Sequence, residues 1–248
     1  MKFYPKSYLD DVLVRFTYHS TGIEGNTLNL GETSSILLNQ TITSNQKHSL
    51  REIYEVDNHR EAIDYLLTQA NAQVPVSISF MQQLHQKLTQ NTVYNAGSFK
   101  DISNYIKGAD FQTAAPDQIP ALMQQWCDNL NYQLSHADNS EQWLRSLLQA
   151  HIQFEQYHPF SDGNGRTGRL LMNFELAKQK RPWLVIERNE RDEYLSYLQN
   201  NDLEGFTQYA TKKLNAENQR LVSFQKQYQK QLDFQRQQLR KDNSPLKR

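Results

Sequence analysis

Twelve consecutive residues hold most of this chain's reactive chemistry: His158-Pro159-Phe160-Ser161-Asp162-Gly163-Asn164-Gly165-Arg166-Thr167-Gly168-Arg169. An imidazole takes up a proton near neutral pH, so His158 is a candidate general base. Asp162 offers a hard oxygen ligand to a divalent cation. Gly163-Asn164-Gly165 can turn tightly and aim bare backbone N–H groups at an anion. Arg166 and Arg169 stand three apart and on a helix share one face. Cations on the first turns of a helix oppose its dipole, so two arginines there call for an anion nearby. A loop running into a helix N-terminus is where phosphate binds most readily.

Several other chemistries fit these residues less well. Gly163 to Gly168 literally matches G-x-G-x-x-G, but a dinucleotide fingerprint must follow a strand, and Leu144 to Phe154 has helical period. A P-loop needs Gly-Lys followed by Ser or Thr, and here Gly168 precedes Arg169. His151 and His158 are two helical turns apart, which gives weak support for a shared metal. His151 reads better as a polar core residue that orients the loop.

The elements that must position the motif are helical. Leu9, Val12, Leu13 and Phe16 repeat at i, i+3, i+4, i+7. Similar stripes run through Ile53 to Leu67, Met81 to Leu88 after Ser77, Pro120 to Leu130, Trp143 to Phe154, Leu170 to Phe174, Tyr194 to Leu198, and from Phe206 onward. Between Phe99 and Thr113 the pattern alternates instead, with Ile102, Asn104 and Ile106 ahead of a Gly108-Ala109-Asp110 turn. This predicts a β-hairpin, the alternative being an irregular loop between helices.

The motif resembles the Fic (Fido) family of nucleotidyl transferases, whose pattern is H-P-F-x-[D/E]-G-N-G-R-x-x-R. His158 to Arg169 matches every fixed position. Ala150-His151, Phe154-Glu155, Leu84-His85, and Ala96-Gly97 before Phe99-Lys100 are also similar to family segments, although the family usually has arginine where Lys100 stands. The resemblance covers roughly residues 1 to 212. It implies a mainly α Fic-fold helical bundle with one β-hairpin flap. The implied activity is a protein adenylyltransferase that moves AMP from ATP to a Ser, Thr or Tyr hydroxyl, including its own. UMP and phosphocholine are the donors of some relatives.

By the same resemblance His158 is the base and Asp162 holds Mg²⁺ or Mn²⁺. Gly163, Asn164 and Gly165 form the anion hole, while Arg166 and Arg169 grip the β- and γ-phosphates. Tyr194 falls where the family lines its adenine pocket, although tyrosine at helical spacing also reads as core. The flap at Ile102, Asn104 and Ile106 clamps the target as an added strand.

A second signal lies at about residues 15–30. Ser20-Thr21-Gly22-Ile23-Glu24-Gly25-Asn26 resembles the family's inhibitory motif, [S/T]-x-x-x-E-[G/N]. On its own, a Ser followed by a Glu also reads as a helix cap. With the catalytic motif present, the resemblance implies that Ser20, Glu24 and Gly25 are regulatory and that Glu24 pairs with Arg169. Some relatives use this glutamate to activate water and remove AMP, so a phosphodiesterase at the same site is the alternative.

Composition bounds the rest. The 248 residues fit one large domain, or a domain with an appendage. With 27 Lys plus Arg against 27 Asp plus Glu, a protein that coats nucleic acid or an anionic membrane is disfavoured. The single cysteine, Cys127, rules out a disulfide within the chain. No apolar run is long enough for a signal peptide or a membrane span, so a cytoplasmic location is expected. Family habit suggests a homodimer. Residues 213–248 turn Gln-rich and basic, and from Ser223 seven cations stand against two anions, a local charge of +5. This predicts a long amphipathic helix that packs its stripe on the domain. A non-enzymatic module using the tail to bind a partner is the other class of reading.

Overall fold

The computed structural model describes residues 3–41, 47–104 and 113–242, with side chains to residue 238. Among these residues the architecture is all helical: α1 (Lys6–Ile23), α2 (Leu30–Ser34), α3 (Leu50–Asn71), α4 (Ile78–Thr89), α5 (Ile119–Ser135), α6 (Ser140–Tyr157), α7 (Asn164–Lys178), α8 (Arg191–Gln199) and α9 (Leu203–Asp242). The helix stripes predicted from sequence fall within α1 and α3 to α9.

Helix starts follow their caps. Ser77 accepts from Phe80 N–H to open α4, and Asn139 accepts from Glu141 and Gln142 N–H to open α6. Ser49 and Glu52 form a capping box at α3. α6 stops where Pro159 follows His158, because proline disfavours helical backbone in the residue before it. His158 turns left-handed there, with φ 51°.

α7 is the centre of the fold. Every residue from Arg166 to Ala177 is buried, which makes it a helix covered on all sides. α1, α3, α4 and α6 pack around it. The main core runs from Phe16 and Leu66 through Phe154, Phe160 and Phe174 to Trp183 and Phe206. A smaller cluster of Val14, Leu28, Ile36, Leu37 and Val56 seats the chain after α1 against α3. After α7 an extended run, Trp183 to Ile186, is buried without joining a strand. Asn173 takes Leu184 N–H and donates back to Leu184 O, replacing a sheet partner.

The hairpin expectation needs adjusting. Residues 99–104 form no strand, and Ile106 with the rest of the hairpin lies outside the described residues. α9 runs unbroken through the compositional change at residue 213. Its Leu214 and Leu221 are buried, Tyr228 is half-buried, and Phe234 is exposed.

Candidate active site

The loop between α6 and α7 is held by bonds that leave it little freedom. Asn164 accepts from Phe160 N–H at 2.8 Å and donates to Phe160 O at 2.8 Å, closing the turn on itself. Asn104 also donates to Phe160 O, at 2.8 Å. His85 spans three segments. Gly97 N–H donates to its Nδ1 at 2.9 Å, so Nε2 carries the hydrogen and donates to Asp162 O, also 2.9 Å away. Its ring lies flat on Phe160, with centroids 3.7 Å apart. Burial pushes its pKa down to about 4, so this bridge is neutral. Gly163 sits at φ 78°, and a Cβ there would meet Thr89 Cγ2 at 2.7 Å. Glycine is therefore required for both conformation and space.

Past Gly163 the chain enters α7, whose first N–H groups have no partner within the helix. Asn164 was expected among the phosphate contacts, but its side chain is spent on Phe160. Its backbone N–H and those of Gly165 and Arg166 remain for an anion. Arg166 is 1% exposed, and neither its Nε nor its Nη1 finds a hydrogen-bond acceptor. Buried guanidinium donors are rarely left without a hydrogen bond, so Arg166 keeps donor capacity at the start of α7 beyond its ion pairs with Asp162 and Glu55.

Arg169 is fully engaged instead. Its Nε donates to Ser20 Oγ at 3.0 Å, and its Nη2 donates to Ser20 O at 2.9 Å and to Glu24 Oε1 at 2.7 Å. Ser20 lies in the last turn of α1, where carbonyls lack partners and a cation is favoured. Ser20 is therefore no helix N-cap. Gly25, at φ 99°, closes α1: its N–H reaches Gly22 O and Asn26 N–H reaches Thr21 O, the paired bonds of a Schellman end. That end projects Glu24 over Gly165. Arg169 is 3% exposed and Glu24 39%. Burial works against the Glu24 carboxylate, but Arg169, and Arg166 behind it, hold its pKa below the usual range.

Asp162 lies in a closed ring of alternating charge. Arg166 Nη2 is 3.5 Å from Asp162 Oδ1 and Arg166 Nη1 is 3.4 Å from Glu55 Oε1. Arg51 completes the ring from α3, with Nε 3.2 Å from Glu55 Oε1 and Nη2 paired to Asp162 Oδ2. Burial raises the Asp162 pKa, but Arg166, the Gly163 N–H and Arg51 outweigh it and keep the carboxyl ionised. Among the described residues no group of three or more His, Cys, Asp or Glu could hold a metal. A cation at Asp162 would draw its other ligands from an anionic substrate and water, which suits Mg²⁺.

His158 presents one ring nitrogen that is free to accept a proton. Its Nδ1 lies 3.3 Å from Glu155 O, and since a carbonyl only accepts, Nδ1 carries the hydrogen and Nε2 keeps its lone pair. Burial, with Lys100 nearby, lowers its pKa to about 4. Lys100 is itself buried among neutral acceptors, Asn104 Oδ1, Thr113 Oγ1 and Tyr157 O, and burial lowers it to about 8. Asn104 thus ties the root of the 99–113 segment to the loop. Of the described flap positions, Ile102 is 72% exposed and Asn104 is half-buried.

Tyr194 does not line an open pocket. It is 1% exposed, lies under the Arg169 guanidinium at 5.9 Å, and its hydroxyl is 2.7 Å from His151 Nε2. It supports Arg169 from within the core. Beside it lies Glu155, whose Oε1 has no hydrogen-bond partner. Burial, against the pull of Arg169, pushes its pKa up to about 8.

The sequence motifs did not name His85, Arg51, Glu55 or Glu155 as site residues. Arg51 did carry a signal, since it is a cation in the first turn after the Ser49 cap.

The Fic/DOC family model matches residues 75–176. A protein adenylyltransferase Fic from Culex quinquefasciatus is 31% identical over 191 residues, 76% of this chain and 37% of the relative. One from Drosophila willistoni is 32% identical over 182 residues, covering 73% and 35%. This chain thus spans just over a third of the length of these relatives. A Fic domain containing signaling protein from Bacteroides thetaiotaomicron superposes with a TM-score of 0.81 at 25% identity, covering 89% of this chain and 90% of the other. Fic-1 from C. elegans gives 0.74 at 26% identity, covering 88% and 65%.

Proposed function

Given that this chain carries a Fic/DOC family domain, we propose that it is a protein adenylyltransferase held at rest by its own Glu24. The observation that carries the reading is an internal carboxylate already seated at the start of α7. Glu24 lies over Gly165 and takes Arg169 at 2.7 Å, where an incoming phosphate would need the same guanidinium.

In the open site the triphosphate of ATP lies over the N–H groups that begin α7, with Arg166 and Arg169 against its β- and γ-phosphates. A target hydroxyl approaches His158. Its oxygen forms a bond to the α-phosphorus, the bond to the α–β bridging oxygen breaks, and pyrophosphate leaves. The hydroxyl proton passes to His158 Nε2, the lone pair left free by the bond from Nδ1 to Glu155 O. The divalent cation, Mg²⁺ or Mn²⁺, would neutralise charge on the α- and β-phosphate oxygens from Asp162. With Glu24 in place the γ-phosphate loses Arg169 and the α-phosphorus is turned from in-line attack. The relatives named above carry the transfer activity in their names, so transfer rather than removal of AMP is the reading we adopt. The target is a protein hydroxyl, the chain's own included.

The test is incorporation of label from α-labelled ATP into protein by wild type and Glu24→Gly, with γ-labelled ATP as control. The variant should gain α-label many-fold over wild type and no γ-label. Equal incorporation by the two proteins would overturn the inhibitory role, and γ-label would indicate a different transfer.

A further inference from the structure

Arg51 stands out because nothing assigned so far accounts for it. It occupies the second position of α3, after the Ser49 cap, where the helix dipole disfavours a cation. It nevertheless reaches from α3 to the loop before α7, pairing with both Glu55 Oε1 and Asp162 Oδ2. Its side chain is 54% exposed, so solvent is open to it. Asp162 Oδ1 is turned to Gly163 N–H at 2.6 Å and to Arg166. Arg51 therefore covers the one carboxylate oxygen that the loop itself leaves free. Arg166 stays in the ring by burial, whereas Arg51 is the exposed member.

We propose that Arg51 is a resident stand-in cation for Asp162, which neutralises the carboxylate in the resting protein and must swing out before a divalent metal can bind. The inference rests on the reading of Asp162 as the metal-holding carboxylate of a nucleotide site. It adds a second gate that is separate from Glu24. Glu24 denies the phosphates an arginine, whereas Arg51 denies the metal a carboxylate. The two act on different parts of the ligand and from different helices, α1 and α3.

The charges predict effects of opposite sign. Without metal, Arg51 shields incoming phosphates from Asp162 and so favours nucleotide binding. With metal, it competes for the same oxygen and adds a repelling positive charge, so it disfavours the metal complex. Removing it should weaken metal-free binding and strengthen metal-dependent binding.

Calorimetric titration with ADP, which carries the α- and β-phosphates but no transferable AMP with pyrophosphate, reads both arms. Wild type, Arg51→Gln, Arg51→Lys and Asp162→Asn are each titrated in EDTA and in Mg²⁺. In Arg51→Gln the ratio of Mg²⁺ to EDTA affinity should rise by about tenfold, the scale expected for one charge near a divalent ion in water. The Lys variant should stay near wild type, which distinguishes a charge effect from misfolding. A ratio unchanged in Arg51→Gln overturns the proposal and leaves the adenylyltransferase reading intact. A wild-type ratio in Asp162→Asn would mean that Asp162 is not the metal carboxylate, which overturns the proposal at its base. Absence of ADP binding in every protein would overturn the nucleotide reading and this proposal with it.

Discussion

Glu24 and Gly165 share one space. A Cβ built on Gly165 would collide with Glu24 Oε1 and lie 2.9 Å from Arg169 Nη1. The missing side chain at 165 is what lets a carboxylate from α1 rest on the start of α7. The same gap is where a phosphate oxygen would have to come. On the proposed reading, substituting Gly165 would disturb regulator and ligand together, so the site is opened cleanly only by removing the carboxylate.

In the Glu24→Gly background, His158→Ala should reduce AMP transfer by about 10²- to 10⁴-fold, the usual contribution of a positioned base. ATP affinity by calorimetry should change little, since in the proposed mechanism His158 meets the hydroxyl rather than the phosphates. Transfer left at the level of Glu24→Gly would exclude the base role.

Lowering the pH should spare the reaction for longer than an ordinary histidine would allow. The His158 pKa is lowered to about 4, and the neutral imidazole is the active form. The rate is therefore retained through pH 6 and lost as pH falls through about 4. The pH profile of kcat/KM for Glu24→Gly reads this directly. A half-point near pH 6.5 would show that burial does not control this imidazole.

Glu155 ties stability to pH in the opposite sense. Its carboxyl is raised from about 4.5 to about 8 in the folded protein, so the folded state holds a proton that the unfolded chain releases. Stability from this group is full below about pH 4.5 and is lost as pH rises toward 8. Urea unfolding should show wild type losing roughly 2 kcal/mol from this group between pH 6 and 8. Glu155→Gln keeps a neutral side chain of similar shape and should remove that slope. An identical slope in the variant would mean that Glu155 is ionised throughout.

Much of this arrangement was legible in the sequence because it is local. His158 to Arg169 are contiguous, and their chemical types, the turn and the start of a helix mark them as a candidate phosphate site. The helices were legible because their apolar faces repeat at 3.6 residues. The partners were harder to read, because they arrive from other helices. Glu55 is a carboxylate beside Ile53 and Val56 on the buried side of α3, and only the packing of α3 against α7 places it beside Arg166. His85 was visible as a residue but not as a bridge, since Gly97 and Asp162 meet it only in three dimensions. The protonation of Glu155 is a product of burial and has no local signature. Tyr194 illustrates the converse case: of its two sequence readings, core and pocket, only its enclosure under Arg169 distinguishes them. α2 is five residues long and carries little periodic signal.

Gly25→Ala tests the geometry that aims Glu24. A Cβ at residue 25 meets nothing within 4 Å, but φ is 99°, so the cost is purely conformational. About 1 kcal/mol of stability should be lost, seen as a lower melting temperature. Basal transfer should rise above wild type as the end of α1 loosens. A less stable protein with no added transfer would separate the Schellman end from inhibition.

Asn164→Ala should be costly although the residue touches no substrate through its side chain. It removes two bonds to Phe160 and leaves Phe160 N–H buried without an acceptor, while Phe160 O keeps Asn104. A loss of about 2–3 kcal/mol in urea unfolding is expected. A change within a few tenths of a kcal/mol would mean that the loop has other supports.

The bonds from Arg169 to Ser20 O, Ser20 Oγ and Glu24 also finish the last turn of α1. On the proposed reading of Glu24, silencing the site and completing a helix are one event, and the off state is the better folded one. Switching on then amounts to fraying that turn while α7 stays still. The amide protons of residues 20–26 become a clock for it: their exchange with solvent should quicken in step with activity across any set of variants or ligands, and exchange in α7 should not.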